Sequence, residues 1–190
     1  MGIEFELKYR ATPEIQEALA QNGQWQSISM ETTYYDTPSG ALSQRFFTLR
    51  RRLENGTSVC TLKAPAGSLA RGEWETECGS IQEAIPELCK LGCPQELPEL
   101  TGEGLVEVCG ARFTRRASTV KWEGALLEIA LDRGVLFAGE KEIPLCEIEV
   151  ELKEGSREQA VAYGRILEKL YGMAPESGSK FRRALALREA

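Results

Sequence analysis

Ile3-Glu4-Phe5-Glu6-Leu7-Lys8-Tyr9 alternates apolar and fully charged residues without a break. Read as a β-strand, this period of two puts Glu4, Glu6 and Lys8 on one face and Ile3, Phe5, Leu7 and Tyr9 on the other. Same-face positions recur about every 7 Å along a strand, so two carboxylates and an ammonium project into one space. Later stretches repeat the pattern. Arg50 and Arg52 share a face, as do Thr61 and Lys63, then Arg71, Glu73, Glu75 and Glu77, then Glu128 and Asp132, then Glu147, Glu149 and Glu151. Between Arg112 and Arg116 the parity is ambiguous: Arg112, Thr114 and Arg116 form one face, Phe113 and Arg115 the other.

The segments between these strands carry helix and turn signals. Thr12-Pro13 reads as an N-cap and first helical residue, opening a helix over 13–22. Asn55-Gly56 predicts a hairpin turn. Ser80-Ile81-Gln82-Glu83 and Ser156-Arg157-Glu158-Gln159 are capping boxes. The second opens the longest helix, which stops at Gly172, and a last helix begins near Ser179. Pro86, Pro94 and Pro98 are expected to break the region after Ser80 into short pieces. Arg133-Gly134 reads as a turn, with Asp132 shaping it as Asp36 shapes the turn before Pro38. About eight mostly antiparallel strands and several helices make the class α+β.

At 190 residues the chain is expected to be one domain, 1–190, large enough to bury a core unaided. Its 29 acidic and 23 basic residues are interspersed and leave a net charge of -6, so no nucleic-acid partner is expected. No apolar run approaches the ~18 residues of a membrane-spanning helix, and no membrane partner is expected. Met1-Gly2-Ile3-Glu4 has no basic and apolar leader character, so the six cysteines read as reduced thiols of a cytoplasmic protein. Cys89 and Cys93 stand four apart, but with no histidine and no cysteine pair nearby they read as buried thiols rather than zinc ligands. The absence of histidine excludes imidazole acid–base catalysis, Ser-His-Asp triads and histidine-ligated metals. Hydrolytic chemistry would have to rest on carboxylates, lysine, arginine or an oxygen-ligated metal.

The simplest account of the alternation is an antiparallel sheet with one solvated face. Two features argue for more. The polar positions are nearly all full charges, and they segregate: carboxylates dominate the first, seventh and eighth strands, arginine and lysine the third and fourth. If the strands close into a barrel, the charged faces line its interior. Packing that interior dry would cost several kcal/mol per unpaired ion, so it would have to hold water, metal and an anion. Carboxylate clusters suit Mg2+ or Mn2+, and arginine and lysine suit phosphate oxygens.

Glu4-Phe5-Glu6-Leu7-Lys8 resembles the E-x-E-x-K signature of the CYTH domain, the triphosphate tunnel metalloenzyme superfamily. The likeness continues in order through Tyr35-Asp36-Thr37-Pro38, Leu49-Arg50-Arg51-Arg52, Thr61-Leu62-Lys63 and Arg71-Gly72-Glu73-Trp74-Glu75. It then takes in the stretch from Leu127 to Gly134, the stretch from Glu147 to Leu152, and Ser179-Lys180-Phe181-Arg182. The resemblance implies a closed eight-stranded antiparallel β-barrel, a tunnel with a charged interior covered outside by helices. It implies Glu4 and Glu6 as metal ligands, joined by Glu149 or, second, Glu151, around Mg2+ or Mn2+. Lys8, Arg50, Arg52, Lys63, Lys180 and one of Arg115 or Arg116 would hold phosphate oxygens. Arg116 is the preferred member of that pair, since Arg115, like Arg51, reads as a surface residue. Lys8, Glu75 and Glu128 are the implied catalytic groups, with Glu73 and Asp132 also lining the tunnel. The implied activity is metal-dependent hydrolysis of a triphosphate or other polyphosphorylated small molecule, inorganic tripolyphosphate first. Class IV adenylate cyclase and a non-enzymatic phosphate-binding module are the alternatives. The oligomeric state is left open, a dimer included.

Overall fold

The computed structural model describes residues 5–21, 23–66 and 70–188, so the expected metal ligand Glu4 lies outside the described residues. Nine strands occur in chain order: β1 (Glu6–Arg10), β2 (Gln26–Asp36), β3 (Thr48–Glu54), β4 (Thr57–Ala66), β5 (Ala70–Glu77), β6 (Val106–Trp122), β7 (Ala125–Ala138), β8 (Lys141–Glu154) and β9 (Ala174–Pro175). The helices are α1 (Pro13–Ala20), α2 (Ala41–Gln44), α3 (Ile81–Lys90), α4 (Leu97–Leu100), α5 (Arg157–Tyr171) and α6 (Lys180–Leu185). No helix among the described residues is long and apolar enough to cross a membrane.

All strands join one antiparallel sheet in the order β5-β4-β3-β2-β6-β7-β8-β1-β9. The antiparallel α+β class is as expected, but the described residues form nine strands where eight were expected, and among them no ladder joins β5 to β1 or β9 to close the sheet. The outer edge of β1 is taken instead by β9, where Tyr9 faces Pro175 and Arg10 faces Ala174. Just beyond, Glu176 N–H donates to the Lys8 carbonyl at 2.8 Å. The sheet curls nonetheless, because residues of β1 and β8 share one cavity with residues of β3, β4 and β5.

Local signals explain most elements. Ser156 and Gln159 exchange both capping-box hydrogen bonds at the start of α5, which ends on a left-handed Gly172. Ser80 Oγ accepts from Glu83 N–H at the start of α3. Asn55 and Gly56 both have positive φ, 50° and 92°, the geometry a two-residue hairpin loop demands. Two expectations fail. Pro86 does not break α3 but lies inside it; burial of Ile81, Ala84 and Leu88 against the back of β4 and β5 holds the helix through the missing N–H. Arg133-Gly134 is not a turn, since β7 runs straight through it to Ala138. Gly134 is there for close approach: a Cβ would lie 2.1 Å from the Arg112 carbonyl oxygen on β6.

Three apolar clusters complete the fold. One packs Leu49, Leu62 and Trp74 against α3 and α4. A second packs Tyr9, Leu127, Ile129, Ile148 and Val150 beneath α5 and α1. Each fully buried aliphatic side chain there contributes about 1.5–3 kcal/mol. The third joins Met30, Tyr34, Phe113, Leu136 and Leu145 to Phe181 and Ala184 of α6. Tyr34, Phe113 and Phe181 of this cluster also line the cavity, so α6 inserts an apolar patch on the concave side of the sheet.

Candidate active site

The concave face encloses a cavity of about 490 Å³. On one wall, the parity of β1 turns Glu6 and Lys8 inward while Leu7 and Tyr9 join the apolar cluster behind. The β1–β8 register sets Glu6 opposite Glu151 and Lys8 opposite Glu149. On the facing wall, Arg50 and Arg52 of β3, Lys63 of β4 and Glu73 of β5 point into the same space. Glu73 lies 3.4 Å from Lys63 and 3.7 Å from Arg50. Arg52 pairs with Glu54 through Nη2, yet its Nε is buried with no hydrogen-bond partner. Burial lowers the pKa of that guanidinium, and neighbouring Arg50 lowers it further, with Glu54 opposing. A buried donor left unmade costs about 1–3 kcal/mol, and an oxyanion is the group that would satisfy it.

Deeper in, the chemistry changes. Asp132 and Glu147 are 0% exposed and Glu149 is nearly so. Their carboxylates offer oxygens within 4.8 Å of one another, a spacing that could hold a metal ion. A cation already sits there. Lys180 Nζ lies 2.7 Å from Asp132 Oδ2 and 2.7 Å from Glu149 Oε1, and it also bonds Glu147. Arg115 grips Asp132 through Nε and Nη2 at 2.8 and 2.7 Å and reaches Glu149 at 2.5 Å. Arg183 bonds Glu147. Burial pushes the Lys180 pKa down, but Glu149, Asp132 and Glu147 outweigh it and hold the ammonium charged. Burial likewise opposes the Glu149 carboxylate, but Lys180 and Arg115 hold its pKa well below the ordinary range. Glu147 goes the other way, raised by its own burial. Below the cluster, fully buried Gln16 of α1 donates through Nε2 to the carbonyls of Asp132 and Glu147, both at 2.9 Å, pinning β7 to β8.

At the end away from α6 the concave face opens between Arg52, Glu75, Glu128 and Glu151. Thr61 donates to Glu75 at 3.0 Å. Lys153 lies 2.8 Å from Glu151 and 3.6 Å from Glu128.

Lys8, Arg50, Arg52, Lys63, Lys180, Glu6, Glu149 and Glu151 therefore come together, and Glu75 and Glu128 flank the opening. Arg116 does not: its guanidinium holds Glu17 of α1 on the outer face, with both contacts at 3.1 Å. Arg115 is the inward residue, a correction to the expected order of preference. Asp132 is likewise no turn former but the buried centre of an ion cluster. Arg51 faces outward and donates to Ser58 at 2.8 Å. The residue reading missed Arg183, Gln16 and the grouping of Asp132 with Glu147. Arg183 had a signal, since it follows Lys180 by three on one helix face.

Hard-cation oxygen ligands fit the outer carboxylates best. Glu6 and Glu151 are half-buried and opposed in register, Glu6 beside Lys8 and Glu151 beside Lys153, whereas two of the inner three are fully buried. Curled antiparallel sheet, cation-rich wall and outer carboxylates define a charged cavity lined by both signs. The CYTH domain matches residues 2–185, and this chain belongs to that family. It is 30% identical over 163 residues to the inorganic triphosphatase of Haemophilus influenzae, covering 80% of this chain and 46% of that protein. The chain thus spans about half the length of that relative. The PH1819 protein of Pyrococcus horikoshii superposes with a TM-score of 0.66 at 25% identity, over 98% of this chain and 99% of that one. HpAC1 from Hippeastrum, whose structure was described as revealing a dominant triphosphatase activity, superposes with a TM-score of 0.61. Its 23% identity, over 98% of this chain and 96% of that one, carries the fold.

Proposed function

We propose that the chain is a divalent-metal-dependent hydrolase of triphosphate compounds, with inorganic tripolyphosphate as first substrate. The observation that carries the reading is the buried, unpartnered Nε of Arg52 in a cavity that also gathers Arg50, Lys63 and Lys8 against Glu6 and Glu151. A fold that buries such a donor and crowds cations beside it is made whole by an anion with several oxygens. Membership of the CYTH family and the inorganic triphosphatase relative support the same substrate class.

Glu6 and Glu151, with Glu4, would hold Mg2+ or Mn2+, which supplies charge neutralisation on phosphate oxygens. Arg50 and Arg52, two residues apart on one strand face, would bind successive phosphates. Arg52 would reach them with a fork that a lysine lacks. Lys8, 3.2 Å from Glu6, would bridge ligand carboxylate and phosphate. Glu75 and Glu128 at the opening would accept a proton from the attacking water and orient it in line. Arg115 and Lys180, committed to buried carboxylates, would shape the inner end by their fixed charge. All six cysteines are free, and a cytoplasmic location fits them.

The test is a substrate panel of tripolyphosphate, thiamine triphosphate, ATP and pyrophosphate with Mg2+ or Mn2+. Metal-dependent phosphate release, fastest on tripolyphosphate, is expected. Cyclic AMP from ATP, or tight tripolyphosphate binding with no turnover, would overturn the proposal.

A further inference from the structure

We propose that Lys153 is a tethered cation that holds Glu151 until a divalent ion displaces it, and so sets the metal affinity. The inference rests on the reading above that Glu151 is a metal ligand. The β7–β8 register sets Glu128 directly opposite Glu151, and like charges directly opposite on neighbouring strands repel. Lys153 follows Glu151 by two, at a register irregularity of the β7–β8 ladder, and lines the same opening as both carboxylates. Its ammonium lies 2.8 Å from Glu151 Oε1 and 3.6 Å from Glu128 Oε1, bridging the two.

Lys180 bridges carboxylates in the same way but cannot be released. Its side chain is 11% exposed and bonds three carboxylates, two of them at 0%. Withdrawing it would leave buried charges uncompensated. The Lys153 side chain is 38% exposed, and its partners are 30% and 23% exposed. Water can take over all three groups, and exposed pairs of this kind contribute little to stability. A divalent ion arriving at Glu151 would bring two charges where the ammonium brings one. The displaced ammonium stays on its strand and repels the ion. Lys153 is thus a positioning residue that acts through the carboxylates.

Mn2+ is titrated into the metal-free full chain without phosphate, followed by calorimetry and by loss of the free-ion electron paramagnetic signal. Lys153→Met and Lys153→Gln should each bind Mn2+ roughly ten-fold more tightly than the parent, the order expected for removing a unit charge a few ångströms from a divalent ion near water. Lys153→Arg should stay near the parent value. Lys141→Met removes the same charge about 40 Å away along β8 and should change nothing. Melting curves for the variants should overlay that of the parent. Equal or weaker Mn2+ binding by folded Lys153→Met and Lys153→Gln overturns the proposal. Absence of Mn2+ binding in the parent and all variants overturns the metal reading of Glu151 itself, and this inference with it.

Discussion

The two ends of the concave face use the same residue types for opposite ends. At the inner end, Asp132, Glu147 and Glu149 each pair with two of Lys180, Arg115 and Arg183, and Asp132 and Glu147 are fully buried. At the outer end, Glu6, Glu151, Arg50 and Arg52 lie in the open cavity, and Arg52 keeps a buried donor unmade. Burial with two cationic partners for each carboxylate turns a charge cluster into structure. Half-burial beside an open cavity leaves it able to bind. The difference is one of burial, and it can be broken from either side.

The largest expected effect is at the inner end. Asp132→Ala leaves Arg115 and Lys180 without their shared buried carboxylate and should cost about 3–5 kcal/mol in urea unfolding. At the outer end, Arg52→Ala should leave the unfolding midpoint unchanged or raised, because it relieves repulsion with Arg50 and removes an unmade donor. Phosphate release from tripolyphosphate should fall by about 10²–10³-fold, the range for losing one preorganised donor to a charged transition state. Equal stability losses in the two variants would erase the distinction between the ends.

Acid should sharpen it. The folded-state pKa of Glu149 is depressed, so its contribution is complete above its ordinary 4.5 and drains away as pH falls below that. Melting temperature should decline steeply from about pH 4.5 downward. Glu149→Gln should start lower at neutral pH and decline less. The smallest effect belongs to Arg116→Ala, which removes only an exposed pair with Glu17 on the outer face. Turnover should stay within about two-fold.

Strand parity made much of this legible. In β1 and in the stretch of β8 from Cys146 to Leu152 one face is wholly apolar and packs under helices, so the charged face could only be the concave one. Parity failed in β6 for a physical reason. α6 enters the concave side and brings apolar surface with it, so Phe113 and Arg115 face inward together and hydrophobicity no longer marks the outside. The Arg133-Gly134 pair misled because a glycine needed for close approach to β6 carries the same letter as one needed for a turn. The ninth strand was illegible for another reason. Ala174–Pro175 is two residues long and has no strand pattern to read. The ion cluster was legible residue by residue but not as a cluster, since Gln16, Asp132, Glu147 and Lys180 meet only through the fold.

The most direct test is Glu6→Gln, assayed for phosphate release from tripolyphosphate with Mn2+ beside an unfolding curve. Glu6 is bonded to Lys8 and stands opposite Glu151. Turnover down by about 100-fold or more with an unchanged midpoint is the predicted result. Undiminished turnover, or activity lost only in step with the fold, would contradict the assignment of the outer end as the place where metal and phosphate meet.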